Sequence, residues 1–156
     1  MPAANPTILE QLDRLIGLFL RAPATAAATR IVLCLPFLWS GLSKLFDFSG
    51  GTAEMAALGL EPAWLFNALT ILVQLGGSLL VIVNRRTWLG AGALGVFTGL
   101  ATVMAHRFWT LDGIERVREL NTFLEHLAII AGFVLVAMIG VVGDCSHGSP
   151  SRGAGQ

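Results

Sequence analysis

Charge is what this chain has least of. Only 13% of its 156 residues are Asp, Glu, Lys or Arg, against about 25% in an ordinary soluble domain. Ten acidic and ten basic residues cannot wrap a core of this size in a wettable shell, so a water-facing globule is excluded as the simple reading. The two signs also balance to a formal net charge of zero, which removes the field that would draw nucleic acid or a strongly charged partner. Lysine is nearly absent, with Lys44 alone among ten basic residues, a bias typical of GC-rich bacterial genomes. Cysteine is scarce as well. Cys34 lies in an apolar run and Cys145 near the tail, neither with a second cysteine at metal or dithiol spacing, so both read as structural. The first 29 residues lack the basic-then-apolar layout of a cleaved signal, because Glu10, Asp13, Arg14 and Arg21 interrupt the apolar pattern. The segment is expected to be retained.

What fills the chain instead is apolar residues, 54% of the total, arranged in long runs. Crossing a hydrocarbon core of about 30 Å takes roughly 20 helical residues. Residues Trp64 to Val83 and Thr87 to Ala105 contain no charge, and Asn84, Arg85 and Arg86 between them force an antiparallel hairpin. Leu127 to Gly143 reaches full length if Thr122 to His126 form its first turn. Ala26 to Phe46 makes a fourth span, with Pro36 inside it and Arg30 and Lys44 snorkelling to the interfaces. Before it, Ile8, Leu12, Leu15, Ile16 and Phe19 recur at helical spacing among charged residues, the pattern of a helix lying on a membrane surface. Thr52 to Leu60 reads as a short helix in the first loop. The expected fold is therefore all-α: an amphipathic interfacial helix in residues 1–25, a four-helix transmembrane bundle over 26–143, and a disordered tail over 144–156.

Polar residues inside the spans fall on single faces. Asn67, Thr70, Gln74 and Ser78 do so in the second span, Thr98, Thr102 and His106 in the third, and Ser40, Lys44 and Asp47 in the first. Polar side chains avoid lipid, so these faces are expected to point into the bundle. Small residues such as Gly76, Gly77, Gly95 and Gly99 serve close helix packing. Antiparallel hairpins then bring the ends of three spans to one surface. Lys44, His106, Arg107, Glu125 and His126 are expected to form one polar cluster there with Gln74 beneath it, and Glu125 is the natural partner of Lys44 or of a protonated His106. Glu125 also reads as the closing residue of a capping box begun by Thr122. No catalytic residue stands out and no cofactor is called for. Haem between His106 and His126, a metal held by these two with Glu125, or a quinone near Glu125 and His126 are the chemistries these side chains would allow.

Four stretches in order resemble the DoxX family: Arg30 to Phe46 with Gly41, Leu42, Ser43, Lys44 and Leu45; Gln74 to Leu80, ending at Arg86; His106 to Trp109; and Phe123 to Ile129. The resemblance covers about Arg30 to Ala137. Family members often carry glutamate where Gln74 stands, and Lys then Asn where Glu125 and His126 stand. The resemblance implies a four-helix inner-membrane protein, in a family named from subunits associated with thiosulfate and quinone oxidation. On that footing the expected role is a non-catalytic subunit or partner of a respiratory or thiol-redox system. The expected partners are the bilayer, a membrane or peripheral redox protein, and further copies of the chain. An oligomeric transporter and a quinone-linked oxidoreductase are the alternatives.

Basic residues favour the cytoplasmic side of a membrane. Arg14, Arg21, Arg30, Arg85, Arg86 and Arg152 fall on one side of the spans, and Lys44, Arg107, Arg116 and Arg118 on the other. Both termini and the second loop are accordingly expected in the cytoplasm. Single cysteines introduced at positions 54 and 85 test this: a membrane-impermeant thiol reagent applied from the periplasm should label position 54 and spare position 85.

Overall fold

The computed structural model describes residues 7–147, and among them every regular element is helical. Helix α1 (Ile8–Arg21) opens with a reciprocal cap, in which the Thr7 hydroxyl accepts from the Glu10 amide and Glu10 accepts from the Thr7 amide. None of its residues is buried within the protein, and Ile8, Leu9, Leu15, Leu18, Phe19 and Leu20 all lie open. The helix ends at Arg21, inside the segment 1–25 expected to hold it. One extended residue, Ala22, turns the chain into Pro23, whose fixed φ suits a first helical position. The Thr25 hydroxyl donates back to the Phe19 carbonyl at 2.7 Å and braces this elbow. Residues 1–6 of the expected interfacial segment lie outside the described residues.

Helix α2 (Pro23–Phe46) carries Pro36 in its interior and starts three residues earlier than the sequence pattern suggested. Asp47 ends it and starts α3 (Phe48–Ala57), its carboxylate accepting from the Gly50 amide at 2.9 Å and the Ser49 hydroxyl at 3.0 Å. Those two donors, the amide first, hold the Asp47 carboxyl below its ordinary range. The short loop helix thus begins before Thr52, because Asp47 caps it. Gly59, at φ +77°, supplies the left-handed step that closes α3.

Helix α4 (Ala63–Ile82) crosses next and widens into a π turn over Leu72–Gly76. Asn84 and Arg86 both adopt left-handed φ in the hairpin that leads to α5 (Thr87–Ala105). A short 3-10 turn, Phe108–Thr110, then precedes α6 (Gly113–His147). Helices α2, α4, α5 and α6 each have the length and apolarity to cross a membrane, as the sequence pattern implied.

Helix α6 departs most from expectation. It starts at Gly113, whose φ of +63° makes the reversal, so Thr122 and Glu125 sit inside a continuous helix and form no cap. The Thr122 hydroxyl donates instead to the Arg118 carbonyl one turn earlier. At its other end the helix continues through residues 144–147, which were expected to begin the tail. Residues 148–156 of that tail lie outside the described residues.

Buried side chains are few. Cys34, Phe37, Val81, Ala91, Leu94 and Phe133 form the core, with the rings of Phe37 and Phe133 edge to face at 5.3 Å. Outside it many apolar side chains of the four spans are open, including Trp39, Trp64 and Trp88, as lipid contact requires. A close crossing joins α4 to α5, where a methyl group at Gly90 would stand 2.6 Å from the Gly77 carbonyl oxygen and 2.8 Å from Leu80 Cβ. Gly92, two residues on and across the helix from Gly90, meets nothing within 4 Å. Gly90→Ala should therefore cost about 1–3 kcal/mol through overpacking, while Gly92→Ala should stay within about 0.5 kcal/mol. Thermal unfolding of both variants in mild detergent checks the contrast.

Candidate functional site

The polar faces turn inward and then divide into separate groups. Asn67, Gln74, Ser78, Thr98 and Thr102 are buried. Gln74 sits in the π turn and donates from Nε2 to the Ser40 hydroxyl of α2 at 3.1 Å, tying two spans near their middles. Asn67 donates to the Phe48 carbonyl at 3.1 Å and so fastens α4 to α3. Three buried acceptors, Asn67 Oδ1, Gln74 Oε1 and Ser78 Oγ, have no hydrogen-bond partner among the described residues. Asn67 Oδ1 lies where a methyl group at Gly51 would meet it at 2.5 Å, so glycine is what lets the two helices close there.

Lys44 does not reach Glu125. Its ammonium pairs with Glu54 of α3 at 2.7 Å, and its side chain is only 13% exposed. Asp47, expected on the same polar face, is spent on capping α3. Glu125 is exposed on α6 and makes no hydrogen bond or ion pair among the described residues, and Arg107 is likewise exposed. Glu54 lies on the loop helix α3, which brings it to Lys44, and Glu119 lies on first turns of α6 that the sequence pattern left in a loop.

The two histidines do come together. His106 ends α5 and His126 lies on the facing side of α6, with ring centroids 5.0 Å apart. Each ring is fixed through Nδ1: that of His106 meets Glu119 Oε2 at 2.7 Å, and that of His126 meets the Thr102 hydroxyl at 2.8 Å. Glu119 and His126 stand seven positions apart on one helix, close to two turns, so both face α5. The arrangement gives two oriented imidazoles whose Nε2 atoms remain available for a proton or a hydrogen bond. Rings in contact at this distance leave no room for a porphyrin between them. No third His, Cys, Asp or Glu joins them in a group able to hold a metal among the described residues.

The pair terminates a long seam. Thr87 packs on Gly140, Gly95 on Phe133 and Gly99 on Ile130, and Thr102 bonds His126, so α5 and α6 run antiparallel in one register along the whole of α5. Beside the seam lies an apolar groove of about 800 Å³, floored by Gly92, Gly95 and Gly99 and walled by Phe133, Val134 and Met138. His126 lies one turn beyond Ile130 at its edge.

A bundle of four apolar spans with inward polar faces and an outward apolar surface defines a multi-pass membrane protein. The family model described as DoxX matches residues 15–107, and the chain belongs to the DoxX family. It is 25% identical over 119 residues to the inner membrane protein YphA of Escherichia coli (strain K12), covering 76% of this chain and 84% of that protein. No solved structure matches the chain. The matched family segment ends at Arg107, so His106 lies within it while Glu119 and His126 lie beyond.

Thr102→Val strips His126 Nδ1 of its partner and should destabilise the bundle by about 1 kcal/mol. Glu125→Gln, at an exposed position that makes no hydrogen bond or ion pair among the described residues, should remain within about 0.5 kcal/mol of the parent. Paired denaturation curves in detergent measure both.

Proposed function

We propose that the protein is an inner-membrane DoxX-type subunit that acts by assembling with a redox partner and carries no reaction of its own. One observation supports this reading above others. The ionisable and polar side chains of the bundle are largely engaged in pairs with each other, as in Lys44 with Glu54, Ser40 with Gln74 and His106 with Glu119, while broad apolar surfaces on α6 and along the groove stay open. Paired polar groups hold helices together, and open apolar surface is what a membrane partner uses. The inner-membrane location is supported by the YphA relative, an inner membrane protein, and the basic-residue distribution favours both termini in the cytoplasm.

A second reading draws on the histidine pair at the groove's edge. A quinone whose ring carbonyl accepts from an imidazole Nε2 and whose tail follows the groove would make the site a redox centre. Protein purified from native membranes in lipid nanodiscs separates the two. A stoichiometric partner bearing flavin, haem or a reactive dithiol, retained when His126 is replaced by alanine, is the expected result. A chain that runs alone and yields a quinone lost in His126→Ala would replace the first reading with the second.

A further inference from the structure

Helices α2 and α4 are each interrupted within their length. Pro36 has no amide hydrogen, so α2 lacks one backbone bond at that turn, and the π turn Leu72–Gly76 breaks the regular bonding of α4. A proline and a π turn are places at which a helix bends. Here they are neighbours. One turn past Pro36 the Ser40 hydroxyl accepts from Gln74, and Gly41 lies so close to Leu75 that a methyl group on it would stand 2.8 Å from Leu75 Cδ2. Residues 41–71 between these points comprise the end of α2, the loop helix α3 and the first half of α4. The chain enters this segment once, past Pro36, and leaves it once, through the π turn.

The segment packs as a body of its own. No residue of the hydrophobic core, from Cys34 and Phe37 to Leu94 and Phe133, falls within it, and neither does any partly buried side chain packed against that core. Its own buried apolar residues, Met55, Ala63 and Ile71, stand apart from the core. Residues 63–71 approach α2 and α3, whereas α5 approaches α4 along residues 72–82. Polar bonds divide at the same level. Lys44 with Glu54 at 2.7 Å and Asn67 with the Phe48 carbonyl at 3.1 Å lie inside the segment, while Thr102 with His126 and His106 with Glu119 lie between α5 and α6. Among the described residues no side-chain hydrogen bond or ion pair joins residues 41–71 to α5 or α6. Gln74 Oε1, buried within the π turn, has no partner there to lose.

We infer that residues 41–71 form a hinged body that swings against the α5–α6 pair, bending at Pro36 and at the π turn. Two bends suffice because only two stretches of chain cross the boundary, and hinges of this kind are a few residues that absorb the change for the rigid parts on either side. The Ser40–Gln74 bond links the two crossing stretches and couples them into one bend. The swing alters the spacing between α3 and the end of α5 that carries His106, while the polar pairs and the apolar core keep their partners. A body with neither core residues nor polar pairs across its boundary opens at lower cost than the core does. The inference is independent of the proposed redox partner.

The test is the distribution of distances between paired spin labels, read by pulsed electron paramagnetic resonance on the full chain in lipid nanodiscs. Cysteines are introduced two at a time at exposed positions in a Cys34→Ser, Cys145→Ser background. The pair 56 and 110 spans the boundary, the pair 56 and 69 lies inside the segment, and the pairs 29 and 89 and 89 and 110 lie outside it. The spanning pair should give a distribution at least twice as wide as each of the other three. Pro36→Ala, which restores the amide hydrogen, should narrow that distribution by at least a third and leave the others unchanged. A spanning pair as narrow as 89 and 110, equal breadth in all four pairs, or a width that Pro36→Ala does not reduce would each overturn the proposal. Should Pro36→Ala fail to fold, the four pairs in the chain that keeps Pro36 decide.

Discussion

Helices α5 and α6 meet in a single antiparallel register, and the histidine pair and the apolar groove both depend on it. Thr87 against Gly140 sets one end and Thr102 against His126 the other, with Gly95 and Gly99 closing the distance between. Because the two helices share that register, His106 at the end of α5 arrives beside Glu119 and His126. A shift of one turn would leave both imidazoles without their partners. The same register sends the first three turns of α6 past the end of its neighbour and leaves the far side of that helix bare.

The bilayer explains the rest of the economy. Inside hydrocarbon a polar group seeks its partner within the protein, and several here find one locally, pair by pair. Ser40 with Gln74 joins α2 to α4, Asn67 joins α4 to the loop helix, and Lys44 with Glu54 closes the rim. Loss of one pair therefore loosens one crossing rather than collapsing a network. The glycines do complementary work. At Gly90, Gly77 and Gly51 the neighbouring backbone or side chain occupies the volume a methyl group would need. Gly92 faces open space and contributes the floor of a groove instead.

Membership of the DoxX family fixes the architecture without fixing a reaction. The family match ends at Arg107, before the helix that supplies Glu119 and His126.

The sequence by itself determined the four spans, their antiparallel order and which faces turn inward, because hydrocarbon thickness and the cost of polar groups in lipid act on composition and period alone. It also marked both histidines. Partner choice was decided only by the tertiary structure. Glu125 looked like the acid for Lys44 or His106, yet Glu54 and Glu119 take those places, since pairing depends on where each helix starts and on a register that no local pattern encodes. The start of α6 was legible in principle: Asp112 and Gly113 are a turn signal, and Gly113 does make the reversal. The Thr122 to Glu125 spacing imitated a cap closer to the apolar run. Asp47 likewise fell on a polar face by spacing, but its carboxylate found the free amides of α3 first, because an unsatisfied helix end competes for a carboxylate as strongly as a distant cation does.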